Sequence, residues 1–112
     1  MEITKGAKEK DTLIIHIKGK MDAVSSPEFE KNLQDLIDEG ENNFIIDLGK
    51  LDYISSAGLR SILILSKKLK ANDGKLLLAD LQDTVQDVFE ISGFNTIIPI
   101  HESVQAALAQ IR

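Results

Sequence analysis

The spacing of apolar residues changes along the chain, and the changes mark its elements. From Thr12 to Lys18 the period is two, with Leu13, Ile15 and Ile17 on one face and Ile14, His16 and Lys18 on the other, which predicts a strand. The stretch before it, Glu2 to about Ala7, is weakly patterned. Lys8-Glu9-Lys10-Asp11 between the two reads as a hairpin turn, so the amino-terminal segment is expected as an antiparallel edge strand. Gly19 to Ala23 then reads as a loop leaving the sheet.

The period next lengthens to that of a helix. Val24-Ser25-Ser26-Pro27-Glu28 opens the first one: Ser25 and Glu28 have capping-box spacing, and Pro27 suits a first turn. Phe29, Leu33, Leu36 and Ile37 form its apolar stripe, and Gly40 ends it. Phe44 to Leu48 is a short apolar run, as expected of a strand covered on both faces. A second helix is predicted from about Ser56 to Ala71, with Leu59, Ile62, Leu63, Ser66 and Leu69 inward and Asn72-Asp73-Gly74 as its stop. Lys75 to Ala79 is the next strand. Thr84 is the expected cap of a third helix carrying Val85, Val88, Phe89 and Ile91 and closing at Gly93, and Ile97 to Ile100 the last strand, held to an edge or kept short by Pro99. Ser103 caps a final helix with Val104, Ala107, Leu108 and Ile111. The order β-β-α-β-α-β-α-β-α predicts a single α/β domain with a mixed, mostly parallel sheet and an antiparallel amino-terminal strand.

Composition narrows the function classes. A chain of 112 residues that is 43% hydrophobic can build one core without disulfides, and it contains no cysteine. No apolar segment is long enough to span a bilayer or act as a signal core, so a cytoplasmic protein without direct membrane insertion is expected. A net charge of −5 argues against a nucleic-acid partner, and the one basic cluster, Lys67, Lys68 and Lys70, suits the carboxyl end of a helix. The glycines are scattered and form neither dinucleotide nor P-loop fingerprint. His16 and His101 lack the partners of a hydrolase or metal site, and Asp47, Asp52, Asp80 and Asp83, near strand ends, are read as turn formers and caps. No enzyme activity, metal or cofactor is expected.

One stretch stands out. In Leu51-Asp52-Tyr53-Ile54-Ser55-Ser56-Ala57-Gly58-Leu59-Arg60 the small residues fall where a loop becomes the second helix. A serine hydroxyl there can cap the helix, or carry a phosphate that the unpaired N–H groups and the helix dipole favour. Ile54 is expected to pack beneath this turn, whereas Tyr53 could pack or face a partner.

At Asp52 to Leu63, and in Ile17 to Ala23, Phe44 to Leu48 and Phe89 to Phe94, the sequence resembles the anti-sigma factor antagonist branch of the STAS domain family, over essentially its whole length. The family's turn commonly reads Asp-Ser-Ser/Thr-Gly-Leu-Gly. On this chain the glycine before leucine falls on Gly58 and the phosphorylated serine on Ser56, with Ser55 the second candidate because it replaces the family's aspartate. The resemblance implies a STAS fold and a partner switch that regulates transcription indirectly. Asp22, Ser55, Ser56, Ala57, Gly58 and Arg60 would dock on a kinase-type anti-sigma factor, an ATP-dependent serine kinase. Phosphate on Ser56 would break that docking, and a serine phosphatase would restore it. The alternative implied by the same fold is an unphosphorylated STAS interaction subunit of another regulatory or transport complex, in which Ser56 is only a helix cap.

Overall fold

The computed structural model describes residues 1–111. The elements follow the expected order: β1 (Glu2–Glu9), β2 (Thr12–Met21), α1 (Ser26–Asp38), β3 (Asn43–Ile54), α2 (Ser56–Ala71), β4 (Lys75–Ala79), α3 (Asp83–Ser92), a 3₁₀ turn (Phe94–Thr96), β5 (Ile100–His101) and α4 (Val104–Leu108). They build a five-stranded sheet in the order β1-β2-β3-β4-β5. β1 pairs antiparallel with β2, and every later pair is parallel. The hairpin turns tightly through Lys10 and Asp11, both with positive φ (52° and 59°), the left-handed pair that a two-residue turn between twisted strands demands.

A sheet whose parallel strands advance in one direction, with crossovers of one hand, puts all its crossover helices on one face. The larger core shows this: Leu13, Ile15 and Ile17 of β2 meet Phe29 and Leu33 of α1, Leu59, Ile62, Leu65 and Leu69 of α2, and Val85 and Phe89 of α3. Ile14, Ile45 and Leu77 point to the other face, where Ala107 and Leu108 of α4 cover them. The Ser103 hydroxyl caps α4 as expected, accepting from Ala106 N at 3.0 Å.

Several local expectations are corrected. Residues 19–21, read as loop, extend β2, and β3 continues six residues past Leu48 to Ile54. Beyond Leu48 the buried positions are Leu51 and Ile54, a spacing of three rather than two. Register shifts between His16 and Lys18, and between Gly19 and Lys20, explain it: β3 bulges twice against β2, and each bulge resets the alternation. In α2 the inward residues are Ser61 and Leu65 where Leu63 and Ser66 were expected. Gln82, not Thr84, stands at the start of α3, and Ile91 is 87% exposed. Ile97 follows the 3₁₀ turn rather than starting a strand; β5 is two residues long, with Pro99 lending only its carbonyl, to Leu78 N.

Helix ends follow the expected chemistry more closely. Gly40 (φ +107°) stops α1 as Gly40 N and Glu41 N donate to Ile37 O and Leu36 O, a Schellman closure. In α2 the left-handed position of the same closure is taken by Asp73 (φ 58°), with Gly74 N donating to Leu69 O.

Candidate functional site

β2 and β3 end side by side, Met21 opposite Ile54, and the Ser55 N–H donates to Met21 O at 2.9 Å, carrying the ladder one rung past the strands. Ser55 is therefore the whole connection between β3 and α2. Its backbone stays extended (φ −92°, ψ 174°) while its carbonyl already accepts from Leu59 N, and its hydroxyl accepts from Gly58 N at 3.3 Å. Ser55 is the helix cap.

Ser56, expected as the cap on the alternative reading, is instead the first residue inside the helix, because Ser55 already holds the cap position. It is exposed, and its hydroxyl takes part in no hydrogen bond among the described residues. Ala57 is half-buried, and Gly58 is buried. A Cβ on Gly58 would lie 2.7 Å from Met21 O and 2.8 Å from Ile54 Cγ1, so only glycine lets the first turn of α2 sit this close to the end of β2. Gly58 thus shapes the turn from beneath instead of presenting a surface. Ile54 packs into the core as expected, and Tyr53 stays half exposed.

The junction between β2 and α1 lies alongside. The Asp22 carboxylate accepts from Val24 N at 3.0 Å and Ser25 N at 2.9 Å, with the Ser25 hydroxyl 3.1 Å away. Ser25 N is the largest of the causes that hold the Asp22 carboxyl below its usual range; desolvation opposes it. The capping box expected at Ser25 does not form: its hydroxyl accepts from Asp22 N and lies 2.9 Å from Lys20 O. The aspartate three residues upstream takes the Ser25 N–H that Glu28 would have accepted in a capping box, and the Ser25 hydroxyl turns back to Asp22 N instead of forward to Glu28 N. Ser26, buried, turns its hydroxyl onto Asp22 O. Asp22 and the Ser56 turn are brought together through Met21, which carries Asp22 on one side and holds Ser55 and Gly58 on the other.

Arg60 lies one turn along α2 from Ser56, exposed and without an ion pair among the described residues. Sequence reasoning missed Met21 as the wall of the turn, and Val24, 90% exposed on the adjoining loop. An apolar residue beside a polar loop was the only available signal.

The remaining chemistry-bearing residues lie elsewhere. His16 Nδ1 is 2.8 Å from Asp47 Oδ2, while Asp47 Oδ1 accepts from Gly49 N. Asp52 accepts from Gln82 Nε2, which also reaches Gly49 O and so ties the start of α3 to the bulged part of β3. The His16–Asp47 pair floors an open cleft of about 560 Å³ on the part of the sheet that α4 leaves uncovered.

The model of the STAS domain matches residues 4–107. The chain belongs to the STAS family. Within it, the chain is 42% identical over 100 residues to BtrV of Bordetella bronchiseptica, described as a candidate anti-sigma factor antagonist, an alignment covering 89% of this chain and 86% of that one. The fold is also that of a candidate anti-sigma factor antagonist from Thermotoga maritima, with a TM-score of 0.92 at 19% identity over 98% of this chain and 94% of that one. The phosphorylated form of SpoIIAA, a Bacillus cell fate determinant, superimposes with a TM-score of 0.75 at 20% identity, covering 99% of this STAS domain and 100% of its chain.

Proposed function

We propose that this STAS protein is an anti-sigma factor antagonist that acts in the cytoplasm by binding rather than by catalysis and is switched off by phosphorylation of Ser56. The observation that carries the reading is the state of the Ser56 hydroxyl. It is exposed on the first turn of a long helix and bonded to nothing among the described residues, whereas Ser55 beside it is committed to the cap. The 42% identity to BtrV supports the antagonist role.

In the unmodified state the Ser56 turn, the Asp22 junction and Arg60 form a docking surface for a kinase-type anti-sigma factor, and docking frees the sigma factor. The partner kinase transfers the γ-phosphoryl group of ATP to Ser56 Oγ, with loss of the hydroxyl proton and release of ADP. The new group brings about −1.5 to −2 charges into the interface, and desolvation together with repulsion from Asp22 ends docking. A serine phosphatase resets the surface by hydrolysis.

The test is intact mass and peptide mapping after incubation with ATP and each kinase-type anti-sigma factor of the same organism, with Ser56→Ala in parallel. One phosphate on Ser56, absent from the variant, is the expected result. Failure of every such kinase to bind or modify the protein, with stable binding to another partner, would overturn it.

A further inference from the structure

We infer that a phosphate on Ser56 is held within the same chain by the Arg60 guanidinium, so that modification both adds an anion and removes a cation from the exposed face of α2. The inference rests on the reading that Ser56 is the modified residue, and it concerns what happens to the phosphate once it is there.

Ser56 and Arg60 are four residues apart on one helix, both exposed. Side chains so spaced lie on one face with Cβ atoms roughly 5–6 Å apart. Helical side chains also lean towards the amino terminus, which is the direction in which Ser56 lies from Arg60. An anion amino-terminal to a cation at this spacing is the favourable orientation. No ion pair among the described residues occupies Arg60, and the first turn of α2 carries no acidic residue to compete for it. Guanidinium and phosphate match as a fork, with two N–H groups donating to two phosphate oxygens.

Neighbouring elements carry further charged groups, among them Lys20 of β2, Asp22 at the β2–α1 junction, Asp52 of β3, Glu28 and Glu30 of α1 and Asp83 at the start of α3. A variant at position 60 retains all of them.

The experiment installs phosphoserine at position 56 by genetic encoding, so no kinase is needed. Phosphorus NMR then follows the second ionisation of the phosphate in the parent, Arg60→Lys and Arg60→Gln proteins. The expected result is an ionisation roughly 0.15–0.4 pH units lower in the parent than in Arg60→Gln, with Arg60→Lys between them. The Arg60 Nε–H resonance should also move on phosphorylation in the parent, and the ionisation difference should shrink at about 1 M salt. Superimposable titrations of parent and Arg60→Gln, with an unmoved Arg60 resonance, would overturn the inference. Failure of all kinases to modify Ser56 would sink the function proposed above and leave this titration unaffected, so the two ideas fail separately.

Discussion

Two helices of this protein open with the same dipeptide, Ser25-Ser26 at α1 and Ser55-Ser56 at α2, and the surroundings give the four hydroxyls different fates. At α1 a junction of several residues lets Asp22 fold back and gather the Val24 and Ser25 N–H groups, and both serines bond inward, Ser26 becoming buried. At α2 the strand runs straight into the helix through Ser55 alone. There is no room for an aspartate to fold back, so Ser55 serves as the cap and Ser56 is left outward and unbonded among the described residues. A serine pair at a helix start is thus a structural fastening in one place and an available nucleophile in the other. The length of the connection decides between them.

The contrast can be broken most forcefully at Gly58. Gly58→Ala places a methyl group against Met21 O, a backbone atom that cannot swing aside, and should cost about 1–3 kcal/mol, roughly 4–12 °C in Tm, while pushing the Ser56 turn away from Asp22. Thermal unfolding of the variant checks it, and an unchanged Tm would mean the turn tolerates a looser seat. Removing the cap is the next largest change: Ser55→Ala should lose about 0.5–1 kcal/mol, the lower part of the usual capping range, in keeping with a 3.3 Å bond. Denaturant titration would read this as a shift in midpoint at constant slope.

Asp22 sharpens the comparison through pH. Its carboxyl is held below the usual value in the folded protein, chiefly by Ser25 N–H, so its ionised form stabilises the fold. That contribution is fully present above the ordinary aspartate value of 3.8 and fades as pH falls through the lowered folded value. Tm measured against pH should show Asp22→Ala below the parent at neutral pH, with the gap closing in acid; a gap independent of pH would refute the charge-based account. The smallest effect on stability belongs to Ser56→Ala, within about 0.5 kcal/mol of the parent by thermal unfolding, since the hydroxyl is exposed and makes no hydrogen bond among the described residues. A large loss there would show that Ser56 is structural like Ser26.

Much of the architecture was legible because its signals are local. The period of two in β2, the helical stripe of α1 and the stops at Gly40, Asn72-Asp73-Gly74 and Gly93 each depend on a few neighbouring residues. The second half of β3 was not legible, because its two bulges exist only against β2 and turn a spacing of two into a spacing of three. The cap of α1 was misread for a related reason: Ser25 and Glu28 had the right spacing, and Asp22 took the Ser25 N–H that Glu28 was expected to serve once the junction folded. In α2, Ser61 and Leu65 complete the inward stripe with Leu59, Ile62 and Leu69, while Leu63 and Ser66 fall half-buried at its edge, a difference that depends on which neighbours the helix packs against.

The sequence by itself determined the order of elements, the antiparallel start of the sheet and the family to which the chain belongs, since these follow from periodicity, turn residues and motif. The tertiary structure alone decided which serine is committed and which is free, that Gly58 works from beneath the surface, and that Asp22 and Ser56 adjoin through Met21. Those outcomes depend on the pairing of β2 with β3, whose ends are some thirty residues apart along the chain, Met21 opposite Ile54. No local pattern encodes the distance between two hydroxyls and the strands that will come to lie beside them.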